Sequence, residues 1–197
     1  MVGSMEDIGY LIGALGDGGL YYLRYKGRRS EYRVSWTQGS LEYLEKSIIP
    51  RLRRVLCETS INSKIQILRG ATRFEVRVSS KKLYMLFKEL AKPENIVKMP
   101  RVARIAFVRG LYDAEGDKSK KRIRIWSKNI EVLNIAKQVL AELGMGSKGP
   151  YLDDKRRGVY VVEVPRAYAS QFYSIIKPEH PKLGVDTGSH PRKFRRA

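Results

Sequence analysis

Trp36-Thr37-Gln38 leads into a helix-like run from Ser40, and Trp126-Ser127-Lys128 leads into another from Asn129. The parallel continues along the chain. Ser63-Lys64 opens the strand-like KIQIL, and Ser147-Lys148 opens the run toward Tyr151 and Leu152. TRFEVRVSS (72–80) and GVYVVEV (158–164) then alternate apolar and polar residues as half-buried strands do, and each is followed by an amphipathic helix, KKLYMLFKEL or RAYASQFYSII. A duplication of this kind confines the fold to two similar units, because each copy has the same apolar faces to bury. Each half reads helix, two strands, helix, two strands, helix. The spacings differ, most at the longer first hairpin (20–37), so the copies have diverged and their register can slip by several residues. Between them AKPENIVKMP (91–100) carries two prolines and no clear period, which marks a linker. The halves therefore occupy residues 7–90 and 101–180, and the Pro-, Gly- and base-rich segment 181–197 is expected to be a flexible tail.

The first helix of each half runs into acid. FVRGLYDAEGD (107–117) carries an amphipathic segment straight into Asp113, Glu115 and Asp117, and YLIGALGDGG (10–19) carries an apolar one into glycines around Asp17. Glycine is common at helix ends, and a solvated acid beside it is the plain reading of either segment alone. Acid at a helix C-terminus opposes the macrodipole, however, and here it occurs in both halves of a very basic chain. Gly110 and Ala114 lie four apart on one face, and Gly9, Gly13 and Gly16 recur at helical spacing, which is costly unless a partner helix approaches closely. Packing the two faces together brings Asp17 and Glu115 side by side, where they repel unless cations intervene. Oxygen-rich sites that keep several waters suit Mg²⁺, which can activate water and stabilise a leaving oxygen in phosphodiester hydrolysis.

Charge points to the partner. The 39 Lys and Arg against 20 Asp and Glu leave +19 and a pI near 10.1, which predicts a polyanion, nucleic acid first. No long apolar run and no strongly hydrophobic N-terminal segment is present, so a cytoplasmic protein without membrane association is expected. One cysteine, Cys57, and two histidines build neither a disulfide framework nor a zinc cluster; Cys57, among apolar neighbours in a helical segment, is expected in the core. The scarcity of thermolabile residues, four Asn and four Gln, hints at a heat-loving source.

FVRGLYDAEG resembles the LAGLIDADG motif from Val108 to Gly116, with Gly110, Leu111, Asp113, Ala114 and Gly116 in register and Glu115 at the place of the catalytic acid. From about Asp7 to Pro178 the chain is similar to single-chain LAGLIDADG homing endonucleases, and GDGGLYYLRYKGRRSEYR, RVSSKKLY, FVRGLYDAEGDK and GVYV look like the archaeal intron-encoded branch. The resemblance implies an α/β (α+β) fold of two αββαββα halves, related by a pseudo-twofold axis, packed through the motif helices, with antiparallel sheets forming a saddle over duplex DNA. It implies a site-specific double-strand DNA endonuclease of intron homing. Asp17 and Glu115, beside Gly16 and Ala114, would bind divalent metal at the two scissile phosphates and leave staggered ends with 3′ extensions. Mg²⁺ is the expected cofactor, Mn²⁺ its substitute, and Ca²⁺ an ion that supports binding without cleavage. Gln38 and Lys118 fall where relatives place polar side chains around the metals and attacking water, and Gln38 is matched to Lys128 across the repeat. The first motif departs from the pattern: aligning Asp17 with the acid puts Ile12 at the packing glycine and Gly13 one residue late, as a one-residue deletion or a helix irregularity would. With both acids and both sheets in one chain, a monomer is expected. An RNA-binding intron maturase on the same fold is the alternative, and the presence of both acids favours the nuclease.

Strand alternation selects candidate DNA contacts. In the first half Glu31, Arg33, Ser35 and Thr37 share one face and Arg73, Glu75, Arg77 and Ser79 another, mixed donors and acceptors suited to base edges in a major groove. Arg122 and Arg124 alternate with isoleucines in the second half, where Lys155, Arg157, Val159 and Val161 trace a weaker outward face. Lys26, Arg28 and Arg29, with Lys118, Lys120 and Lys121, fit phosphate contacts. Tyr25, Lys64, Gln66 and Asp154 complete the set.

Overall fold

The computed structural model describes residues 2–16, 18–25, 30–117 and 122–183. Helices α1 (Val2–Gly13) and α6 (Arg101–Glu115) begin the two halves and pack against each other, backbone to backbone. A Cβ on Gly13 would lie 2.8 Å from the Leu111 nitrogen, and one on Gly110 would lie 3.0 Å from the Ala14 nitrogen. Each glycine is where its helix touches the other. The contacts are reciprocal: Gly13 faces the Phe107 carbonyl as Gly110 faces that of Tyr10, so Gly13 is the counterpart of Gly110. Counted on from there, Asp17 matches Ala114 and comes one position earlier than Glu115. The end of α1 shows why. Leu15 N–H donates to the Ile12 carbonyl and Gly18 N–H to that of Leu15, tight turns that gain more length per residue than the α-helical turns α6 keeps as far as Glu115.

Each half adds an antiparallel sheet. In the first, β1 (Gly19–Leu23), β2 (Glu31–Gln38), β3 (Ile65–Arg69) and β4 (Phe74–Ser79) pair in the order β1-β2-β4-β3. In the second, β5 (Ile123–Ser127), β6 (Lys148–Asp154) and β7 (Val159–Val164) pair in the order β5-β7-β6. Where a first strand was expected in the second half, the described residues show a single bridge between Gly116 and Ile125. Val34, Trp36, Val76 and Val78, and Ile123, Ile125, Val162 and Val164, form the buried inner faces. α2 (Leu41–Tyr43) continues through a π turn into α3 (Ile49–Glu58), which lies on α1; α4 (Lys81–Leu90) and α7 (Ile130–Glu142) lie on the two sheets, and α8 (Ala169–Ile176) on α6.

Three readings of the sequence change here. Ser40 and Asn129 both accept N–H groups of the first helical turn, and Gly18 abuts Trp36 as Gly116 bridges Ile125. Trp36 therefore matches Ile125, Gln38 matches Ser127, and Lys128 matches Gly39; pairing the two tryptophans is one residue out, which turns a strand over. Trp36 is buried and donates to the Leu11 carbonyl at 2.9 Å, whereas Trp126 lies on the opposite, outer face of its sheet. Segment 91–100 is not irregular: α5 (Pro93–Lys98) starts on Pro93, and Ile96 and Met99 join the core. Six residues are too few to display a helical period. Cys57 is exposed, because Leu52, Val55 and Leu56 take the inner face of α3 and the next position falls on the outer one. Among the described residues no helix is long and apolar enough to cross a membrane.

Candidate active site and DNA-facing surface

The three carboxylates at the end of α6 go three ways. Asp113 is fully buried; it accepts the Tyr10 hydroxyl at 2.7 Å and the N–H groups of Glu179 and His180 at 3.0 and 3.1 Å. Burial pushes its pKa up to about 6, against the pull of those donors. The segment after α8 is thereby tied to the helix pair, and it reaches the first half too: Glu179 meets Arg51 at 2.9 Å, and the His180 ring lies 4.9 Å from that of Tyr43, tilted by 44°. Asp117 pairs with Arg124 at 3.1 Å. Glu115 lies at the meeting of the two helix ends.

Gly16 makes room for it. A Cβ there would stand 2.9 Å from the Glu115 carboxyl carbon. Gly16, Glu115, Ser127 and Lys128 line one cavity of about 580 Å³, floored by Leu15, Phe107 and Leu111. Gln38 ends β2 on the inner face of the other sheet; it is 4% exposed, and its amide nitrogen has no hydrogen-bond partner among the described residues. That is an open donor. Asp17 and Lys118 lie outside the described residues, as do Lys26, Arg28, Arg29, Lys120 and Lys121.

The oxygen donors at this end of α6 fit a hard cation. Glu115 supplies a carboxylate, and the carbonyls of the last turn, that of buried Ala114 among them, sit at the negative end of the helix dipole. Among the described residues no three His, Cys, Asp or Glu side chains cluster.

The outer face of the first sheet is fixed by its register. Tyr21 and Leu23 of β1 stand beside Arg33 and Glu31 of β2; Ser35 and Thr37 pair with Arg77 and Glu75 of β4, which meet Gln66 and Leu68 of β3. Glu31 is engaged within the protein. It accepts Arg33 at 3.1 Å, Ser79 at 2.7 Å and Tyr25 at 3.1 Å, and the first two of these hold its pKa down at about 2. Ser35 is on the outer face but 2% exposed, and Arg77 donates to Gln66 at 2.8 Å. Arg73 and Lys64 are exposed beyond the ends of β4 and β3. In the second sheet Arg124 and Trp126 face outward opposite Glu163 and Val161, with Val161 buried between Trp126 and Tyr151. Arg122, Lys155 and Arg157 are exposed, and Asp154 accepts the N–H groups of Arg156 and Arg157 at 2.9 and 3.1 Å, which shapes their turn. Tyr21, Leu68, Trp126 and Asp153 are outer-face residues that sequence reasoning passed over; only the pairing register reveals them.

Residues 103–177 match the model of a LAGLIDADG-like domain. Over 172 residues the chain is 45% identical to the homing endonuclease I-DmoI of Desulfurococcus mucosus, with 87% of each covered. The chain belongs to the LAGLIDADG homing endonucleases. Homing endonuclease I-ApeI of Aeropyrum pernix is 32% identical, over 73% of this chain and 68% of that one. The solved complex of I-DmoI with DNA and Ca superposes with a TM-score of 0.83 at 44% identity, covering 92% of this chain and 93% of that one. Structures of I-DmoI with DNA and Mn, and of an I-DmoI variant with its target DNA in the presence of Mg, match with the same TM-score. The matched domain contains most of α6, whose last residue is Glu115.

Proposed function

We propose that the chain is a site-specific DNA endonuclease that cuts both strands of an asymmetric duplex as a monomer, uses Mg²⁺, and leaves staggered ends with 3′ extensions. The observation that carries this reading is the meeting of Gly16 and Glu115 at the paired ends of α1 and α6, between two sheets whose outer faces bear arginines. Glu115 and Asp17, with the carbonyls of Gly16 and Ala114, would hold the cation. Bound there, it would neutralise phosphate charge and lower the pKa of water. The chain's own residues supply the positioning. Close packing of the motif helices fixes the separation of the two helix ends, which would give the two cuts a constant stagger. Arg33, Arg77 and Arg124 orient the duplex from the two sheets. Gln38, whose amide nitrogen is buried and unpartnered, would donate to a phosphate oxygen or the attacking water on turning out of the sheet, and Lys118 would stabilise the same developing charge. Mn²⁺ replaces Mg²⁺ in this scheme, and Ca²⁺ supports binding alone.

The test uses a duplex library carrying randomised sites. Discrete double-strand cuts in Mg²⁺, none with EDTA, and a specific gel shift in Ca²⁺ are expected. A protein that binds structured RNA while leaving every duplex intact would overturn the reading in favour of a maturase.

A further inference from the structure

The outer face of the second sheet carries contacts that the cleavage reaction does not use. Asp117, two residues past Glu115, is 5% exposed. Its N–H donates to the Arg124 carbonyl at 3.0 Å, and its Oδ2 accepts Nε and Nη2 of the same arginine at 3.2 and 3.1 Å. The Arg124 guanidinium lies over the Trp126 ring, 4.6 Å from the centroid, and Trp126 Nε1 donates to Asp153 Oδ2 at 3.0 Å. Plane, tilt and one edge of the guanidinium are thus set before any ligand arrives, and little ordering cost remains for binding. Among the described residues Nη1 makes no hydrogen bond, and the Arg124 side chain keeps 26% of its surface exposed.

A phosphate is a poor match for this arrangement. The adjoining carboxylate cancels the charge on which phosphate neutralisation depends, and Arg124 stands within a strand, opposite Glu163, rather than in a loop. A rigid fork with one edge held and one offered is a directional donor pair. Its complement in a major groove is the O6 and N7 edge of guanine.

We propose that Arg124, held by Asp117, reads one guanine of the duplex, with Arg124 as the specificity-determining residue and Asp117 as its positioning residue. This rests on the endonuclease reading, since it requires a duplex lying across the sheets. The repeat has no second copy of the device: the residues matching Asp117 and Arg124 in the first half are Gly19 and Ser35. The base reader is braced against the helix end that also carries Glu115, so one rigid segment (115–117) joins readout to cleavage.

The experiment is selection of bound duplexes from a randomised DNA library in Ca²⁺, by the full-length wild type and by Arg124→Gln, Asp117→Asn and Asp117→Ala. Wild type should select a motif with guanine at one position. Arg124→Gln should lose that preference by about 10- to 100-fold at that position alone, the scale of one bidentate contact. Asp117→Ala should lose most of it, and Asp117→Asn, which keeps one acceptor oxygen, should retain part. A structural role for Asp117 would instead weaken every position together. Arg124 is partly exposed, so Arg124→Gln is expected to fold and reports even if Asp117→Ala does not. A motif left intact by Arg124→Gln, or an even loss at every position in the Asp117 variants, would overturn the proposal. A wild type that selects no motif would overturn the endonuclease reading with it.

Discussion

The ends of α1 and α6 are built alike and equipped differently. Each presents a glycine to the other's backbone, and each turns from there toward its own sheet. The end of α6 then uses three carboxylates for three purposes: Asp113 anchors the segment after α8, Glu115 enters the site, and Asp117 holds Arg124. The end of α1 has Asp17 alone, with Gly16 at the position of Asp113 and Gly19 at that of Asp117. The duplicated scaffold keeps the helix contact in common, while anchoring and arginine-holding from the motif itself belong to the second half. Residues two apart on a helix point about 200° apart, so neighbouring acids of one motif serve opposite faces.

Breaking the scaffold should have the largest effect and should be symmetric. Gly13→Ala and Gly110→Ala each drive a Cβ into backbone, and each is expected to cost about 3 kcal/mol or more, read as equal losses in urea unfolding. Unequal losses would mean that the two helices do not share their interface evenly. The anchoring acid comes next. The folded-state pKa of Asp113, about 6, lies above the ordinary 3.8, so in that interval the native state holds a proton the unfolded chain has released, and stability falls as pH rises. Asp113→Asn cannot titrate, and the wild type's stability relative to it should fall by up to about 3 kcal/mol between about pH 4 and pH 7. A pH-independent difference would refute this.

At the position matching Asp113 the opposite result is expected. The atoms nearest a Cβ in Gly16→Ala belong to the flexible Glu115 side chain, so stability should stay within about 1 kcal/mol while the displaced carboxylate slows cleavage about 100-fold. Gln38→Met removes a buried, unpartnered amide at constant volume. Stability should rise by about 1 kcal/mol while cleavage slows; a destabilised variant would show that the amide is satisfied in solution.

The helix pairing was legible because glycine at helical spacing has one economical explanation, and the family because the motif at the end of α6 is specific. The one-residue shortening before Asp17 was visible as a misfit, and only the tight turns of residues 12–18 explain it. The strand register was misread from the tryptophans, large residues that a diverged strand can present on either face. The caps Ser40 and Asn129 carried the correct offset. Nothing local could reveal the burial of Asp113, whose backbone partners at residues 179 and 180 come from the far end of the half, or the outward turn of Cys57 beside Leu56.

The central claim is that Asp113 and Glu115 of one helix turn do separate work, and a paired measurement of DNA cleavage in Mg²⁺ and urea unfolding at neutral pH tests it most directly. Glu115→Gln should lose cleavage by orders of magnitude with stability unchanged or raised, since it removes charge at the negative end of α6. Asp113→Ala should lose about 2–4 kcal/mol, because it strands the Tyr10 hydroxyl and two backbone N–H groups, yet still cut below its own melting point. Wild-type cleavage by Glu115→Gln, or an Asp113→Ala protein that is fully stable but inert, would contradict the account.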